Sequence, residues 1–201
     1  MPDRVATRLP EVQGAAPRHR RLGYEAAQNP LVPRMRARVA AVWLPDCGRG
    51  GASVKPSIEL YTDGACRKTG EGGWGYVLRS ATGKELEGSG GVTCTTSQRM
   101  ELTAALEGLQ RLECPCVVRL VSDSQYLVKG LTTWARMWER DGWRKAGGDP
   151  ALNRDLWVSL LFQSRRHEVA AEWVRGHSGH PENERCDKLA TAASRALVPP
   201  L

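Results

Sequence analysis

The chain has 201 residues, 41% hydrophobic and 25% charged, which is enough for one domain with a real core plus a tail. No apolar run is long enough to cross a membrane and no secretory apolar segment is present, so no membrane association is expected and the location expected is cytoplasmic. The net charge of +7 is uneven: residues 1–55 hold ten Lys/Arg and four Asp/Glu, and the rest is close to neutral. That balance is compatible with a polyanionic partner without demonstrating one. None of the six cysteines forms a paired C-x-x-C arrangement, so a zinc site is not expected and reduced thiols are.

Residues 1–55 are rich in Pro and Arg and keep no period of 2 or 3.6, which predicts a disordered basic tail ahead of a folded domain at 56–201. Folded sequence begins near Ser57. An alternating strand runs to Asp63 and ends on an aspartate followed by Gly64. A Gly-rich connection, Gly64 to Gly73, leads into a second strand, Trp74 to Arg79. Ala81 to Lys84 reads as a hairpin turn, and Glu85 to Thr93 as a third strand, completing a meander.

Thr95, Thr96 or Ser97 can cap the first helix, whose apolar stripe is Leu102, Ala105, Leu106, Leu109 and Leu112. Glu101 lies about 100° from Leu102 around the axis, on the flank of that stripe. The apolar run Val117 to Val121 reads as a buried strand delivering Asp123 at its tip, with a short helix from Ser124 to Gly130 after it. Trp134, Trp138, Trp143 and Trp157 then alternate with Arg136, Arg140, Arg144, Lys145 and Arg154. Basic groups among planar side chains suit a nucleic-acid backbone. Trp134 and Trp157 are expected to pack, and Trp138 and Arg140 to lie nearer the tip. A helix from Leu152 to Arg166 buries Leu152, Leu156, Trp157, Leu160 and Leu161. A strand from His167 to Val174 alternates Val169, Ala171 and Trp173. The last helix follows the loop Arg175 to Pro181, packs Cys186, Leu189, Ala190, Ala193 and Leu197, and carries Asp187 on its flank.

Two strand ends and two helices thus present Asp63, Glu101, Asp123 and Asp187. Four such carboxylates repel one another unless a cation neutralises them. A strand ending in Asp is common, so the sequences around the four carry the weight. At Tyr61-Thr62-Asp63-Gly64, Arg99-Met100-Glu101-Leu102, Ser122-Asp123-Ser124-Gln125-Tyr126 and the block from Gly176 to Asp187, the chain closely resembles type 1 bacterial ribonuclease H, over roughly Ser57 to Leu197 and in order.

The resemblance implies an α/β fold of the ribonuclease H type, a five-stranded mixed sheet flanked by helices. It implies endonucleolytic hydrolysis of the RNA strand of an RNA–DNA hybrid, leaving 5′-phosphate and 3′-hydroxyl ends, and a monomer is expected. Asp63, Glu101, Asp123 and Asp187 look like the family's ligands for two Mg²⁺ ions, with Mn²⁺ able to substitute, and His177 looks like its loop histidine. Ions about 4 Å apart activate water and stabilise the leaving oxygen. A histidine on a glycine-flanked loop suits proton shuttling, whereas His180 is expected to be structural. By position, Cys66, Thr96, Ser97, Gln98, Gln125 and Asn183 are candidates for contact with the RNA strand, and Trp138 and Arg140 belong to a basic protrusion that binds the DNA strand. The chain departs from the family at Ser97-Gln98, where two asparagines are usual, at Thr69, and at Cys94 in place of a basic residue; these changes bear on substrate affinity, not on the reaction. A non-catalytic binding module on the same fold has no use for four carboxylates facing phosphate. A junction nuclease is disfavoured by the Trp-rich insertion and the Ser122 to Tyr126 motif.

Overall fold

The computed structural model describes residues 55–198. The tail expected at 1–55 therefore lies outside the described residues, Lys55 excepted. Five strands form one sheet in the order β3-β2-β1-β4-β5, with β1 at Ser57–Cys66, β2 at Gly72–Ser80, β3 at Glu85–Val92, β4 at Val117–Ser122 and β5 at Glu168–Trp173. The meander β1-β2-β3 is antiparallel, whereas β4 and β5 add in parallel on the other side of β1. The sheet is mixed because hairpin turns return the first three strands, while helices carry the chain back between β3, β4 and β5.

The helix α1 (Ser97–Gln110) is capped by Thr96, whose hydroxyl accepts from the Arg99 N–H. Its buried stripe, Leu102, Ala105, Leu106 and Leu109, packs on one face of β1 and β2 as the 3.6-residue period requires. On the same side lies α4 (Arg154–Arg166), fastened to α1 by the bidentate pair of Arg99 with Asp155 at 2.6 and 3.0 Å. The other face of the sheet is covered by α5 (Pro181–Arg195). It sits against backbone, because a Cβ at Gly73 would lie 2.0 Å from the Ala190 carbonyl oxygen and one at Gly75 2.7 Å from that of Cys186. Between β4 and α4 the chain runs through α2 (Gln125–Lys129), a π-helical turn (Gly130–Trp134) and α3 (Ala135–Arg140) as one continuous rod.

Several local expectations give way to tertiary contacts. The strand β1 does not stop at Asp63. It continues to Cys66 because β2 pairs with it through Gly72 and Gly73, residues that read as a flexible connection. Gly130 does not end a helix: its backbone is helical, and a Cβ there would lie 2.0 Å from the Trp157 ring. Leu152 is outside α4 and 60% exposed, since Asn153 adopts a left-handed φ of 58° and breaks the helix before Arg154. Trp173 follows the parity of half-buried Val169 and Ala171 but is 46% exposed at the end of β5. Among the described cysteines, Cys66, Cys94, Cys116 and Cys186 are free thiols and Cys114 is disulfide-bonded, which departs from the all-reduced expectation.

Candidate metal centre and nucleic-acid interface

The parallel ladder between β1 and β4 ends at Thr62 opposite Ser122, so the next residue on each strand, Asp63 and Asp123, emerges at the same edge. That edge, the carboxyl end of adjacent parallel strands, is where open α/β sheets place their ligands. Gly64 brings the third group. A Cβ there would lie 2.3 Å from the Glu101 nitrogen, so only glycine allows α1 to approach β1 closely enough to set Glu101 above Asp63.

Each of Asp63, Glu101 and Asp123 offers a carboxylate oxygen within 4.8 Å of the other two. Asp63 is 8% exposed, and one of its oxygens accepts the Gly64 N–H at 2.6 Å. The other two are half-buried, and Glu101 Oε2 is buried with no hydrogen-bond partner. Burial first, then the charges of Asp63 and Asp123, pushes the Glu101 carboxyl up to about 9. Burial, followed by the Asp123 charge, raises Asp63 to about 7, against the lowering effect of the Gly64 N–H. A set of three all-oxygen donors, two of them holding protons far above the carboxylate range and one with an unpartnered buried oxygen, fits a hard divalent cation.

Asp187 stands apart from this tight group. It is half-buried on α5, accepts from the Thr191 hydroxyl at 3.4 Å, and is near enough to raise Asp63 electrostatically. His177 is exposed, with a φ of 50°, on the loop between β5 and α5, and its charge acts on Asp63 in the opposite sense. Gly176 carries that loop past Asp123, where a Cβ would lie 2.5 Å from Oδ2. His180 instead stands at the N-cap of α5, with its ring 6.0 Å from that of Tyr61 and Nδ1 3.5 Å from Glu182.

The residues expected to meet substrate divide into two sets. Cys66, Thr96, Ser97 and Gln98 form a rim at the end of β1 and the start of α1. The Cys66 thiol donates to the Thr95 carbonyl, the Ser97 hydroxyl donates to the Gly64 carbonyl, and Thr96 is engaged as the helix cap. Gln125 is exposed on α2 and accepts from Lys129 at 2.9 Å. Asn183 is different. It is 3% exposed and donates to Asp123 Oδ2 at 3.3 Å, so it holds a carboxylate in place.

Trp138 also departs from its expected place. It is half-buried, edge-on to Trp157 and tilted on Trp134, each at 6.0 Å, so it braces the rod against α4. Arg140, Arg136 and Arg144 remain exposed. Beneath them the Tyr126 hydroxyl accepts from Trp157 Nε1 at 3.0 Å and from Asn153 at 3.3 Å. Neither this hub nor the Trp173 indole N–H donating to the Asp123 carbonyl at 2.9 Å leaves a periodic signal in the sequence.

Comparison with known proteins adds the following. The family model described as RNase H matches residues 55–195. A ribonuclease H of Pelobacter propionicus is 50% identical over 152 residues, covering 74% of this chain and 93% of that protein. One from Geotalea uraniireducens is 54% identical over 138 residues, covering 68% and 92%. Among solved structures, LC9-RNase H1, described as a type 1 RNase H with the type 2 active-site motif, is 28% identical at a TM-score of 0.65, covering 74% of this chain and 76% of that one.

Proposed function

The chain belongs to the ribonuclease H family, as a bacterial type 1 member, and on that basis we propose that it hydrolyses the RNA strand of RNA–DNA hybrids, leaving 5′-phosphate and 3′-hydroxyl ends. The observation that carries this reading is the convergence of Asp63, Glu101 and Asp123 from three elements, with oxygens within 4.8 Å of one another. Two Mg²⁺ ions, when bound, supply the activated water and the charge that offsets the phosphate and the leaving oxygen.

The chain's own residues do the positioning. Asp63, fixed by the Gly64 N–H, presents a carboxylate oxygen within 4.8 Å of those of Glu101 and Asp123. Asp187 supplies a fourth carboxylate from the α5 side. In this reading the exposed His177 imidazole takes up and releases a proton beside the site, with its loop free to move about Gly176 and Gly179. The rim of Cys66, Thr96, Ser97, Gln98 and Gln125 faces the 2′-hydroxyls of the RNA strand, which tell RNA from DNA. The exposed arginines of α3 and the following loop face the phosphates of the DNA strand. A catalytic domain at 56–201, a monomeric state and a cytoplasmic location belong to the same proposal.

Release of labelled RNA from a hybrid in Mg²⁺, with duplex RNA and duplex DNA as controls, tests it. Asp123→Asn should lose at least ~100-fold in turnover with the fold intact, and His177→Ala about 10²-fold. Cleavage of hybrid by Asp123→Asn at the unaltered rate would sink the assignment.

A further inference from the structure

Trp173 is the last residue of β5 and pairs with Ser122 of β4. One step on, the Val174 N–H donates to the Ser122 carbonyl at 3.1 Å and closes the ladder between the two strands. The next carbonyl along β4 belongs to Asp123. It lies past the ladder and receives the Trp173 indole N–H at 2.9 Å. A side-chain donor thus continues the strand pairing by one residue, at the residue that carries the carboxylate.

Packing alone does not explain an indole there. Trp173 is 46% exposed, so it forgoes much of the apolar burial that makes tryptophan a core residue. What it retains is one donor, the indole N–H, engaged by the Asp123 carbonyl. Asp123 is held at its other end too, since Asn183 of α5 donates to Oδ2 and Gly176 of the β5–α5 loop passes close beside that oxygen. Trp173 fixes the main chain and Asn183 the carboxylate. The chain then leaves Trp173 for Val174, Arg175, Gly176 and His177, so the same indole anchors the root of the histidine loop.

We propose that Trp173 is a positioning residue for hybrid cleavage, acting through Asp123: its N–H sets the Asp123 main chain so that the carboxylate faces Asp63 and Glu101. The inference rests on the hydrolytic reading of that site. It requires the indole N–H, not the ring, to matter.

Trp173→Phe keeps a ring and removes the donor. Its kcat should fall about 5- to 10-fold, the worth of one ordinary hydrogen bond, with KM for hybrid within about twofold of the unaltered protein. Calorimetric titration with Mn²⁺ should show weaker binding by a similar factor, and Trp173→His, which restores a ring N–H, should recover part of both losses. Unchanged kcat and Mn²⁺ affinity in Trp173→Phe, with Asp123→Asn inactive, would overturn the inference and leave the hydrolytic reading standing. A rise in KM alone would overturn it in favour of a substrate contact. A loss of activity that tracks loss of folded protein, with normal Mn²⁺ affinity in what remains folded, would overturn it in favour of plain stability. Full activity in Asp123→Asn would instead remove the hydrolytic reading itself.

Discussion

Glu101 keeps its proton up to about 9 and Asp63 up to about 7, each chiefly because burial penalises the charged form. Both folded values lie above the unfolded ones, so between them the folded chain binds more protons than the unfolded chain. The stability each contributes is complete below about pH 4 and is lost as pH rises through about 7 for Asp63 and about 9 for Glu101. Buried His167 acts in the opposite sense: burial lowers it to about 4, so its contribution is lost as pH falls from about 6.5 to about 4. Comparison with a variant removes that opposing trend. In chelator-treated protein, the melting temperature of Glu101→Gln should gain on the unaltered protein between about pH 5 and pH 9. Mg²⁺ should raise the melting temperature of the unaltered protein most at the alkaline end, where a cation takes the place of the proton. A difference between the two proteins that stays constant over that range, read by thermal denaturation with and without Mg²⁺, would mean that Glu101 does not titrate as its burial requires.

At the scale of elements, what the sequence reveals is what local pattern encodes. The α1 stripe, its cap to within the three residues Thr95 to Ser97, and the strands bearing Asp63 and delivering Asp123 are legible because each is decided within a few residues. Gly130, Trp138 and Trp173 read differently because distant contacts decide them: Gly130 and Trp138 meet Trp157 on α4, and Trp173 reaches across to Asp123. Leu152 differs for a local reason, the left-handed backbone of Asn153 beside it. The carboxylates are legible as a set only through the motifs around them, since the close approach at Gly64 that brings Glu101 over Asp63 is a tertiary contact. The corrected place of Trp138 changes what its substitution should do. Removing a half-buried aromatic that packs on Trp157 and Trp134 should cost about 2–3 kcal/mol, below the range for a fully buried one, and should raise KM by loosening the rod. Arg140 is exposed and, among the described residues, paired only with its neighbour Asp141, so Arg140→Ala should leave the melting temperature unchanged. It should still raise KM, and flatten the dependence of KM on salt by about one phosphate contact. Denaturant melts and hybrid kinetics across a salt series separate the two; equal losses of stability would mean that Arg140 braces the rod as Trp138 does.

At the scale of the whole molecule, the sheet, both helical layers and every candidate site residue lie within 55–198, and the family match runs from 55 to 195. The main chain enters the sheet directly at its start: the Pro56 carbonyl accepts the Val117 N–H at 2.9 Å, and Lys55 pairs with Glu168. Residues 1–55 carry a net charge of +6, with ten basic residues among few large apolar ones. Charge of that kind adds affinity for a polyanion without selecting a cut, because phosphates are attracted whatever their sequence. A chain beginning at Val54 should therefore be soluble and cleave hybrid with kcat unchanged. Its KM should be higher at low ionic strength and converge on that of the full chain as salt rises past ~0.15 M, where the added charges are screened. Reductant is kept in every sample, so that Cys114 is a free thiol in both proteins. Failure of the shorter chain to fold would place part of the first 53 residues in the core. A KM gap that persists at high salt would mean that they contact the hybrid through more than charge.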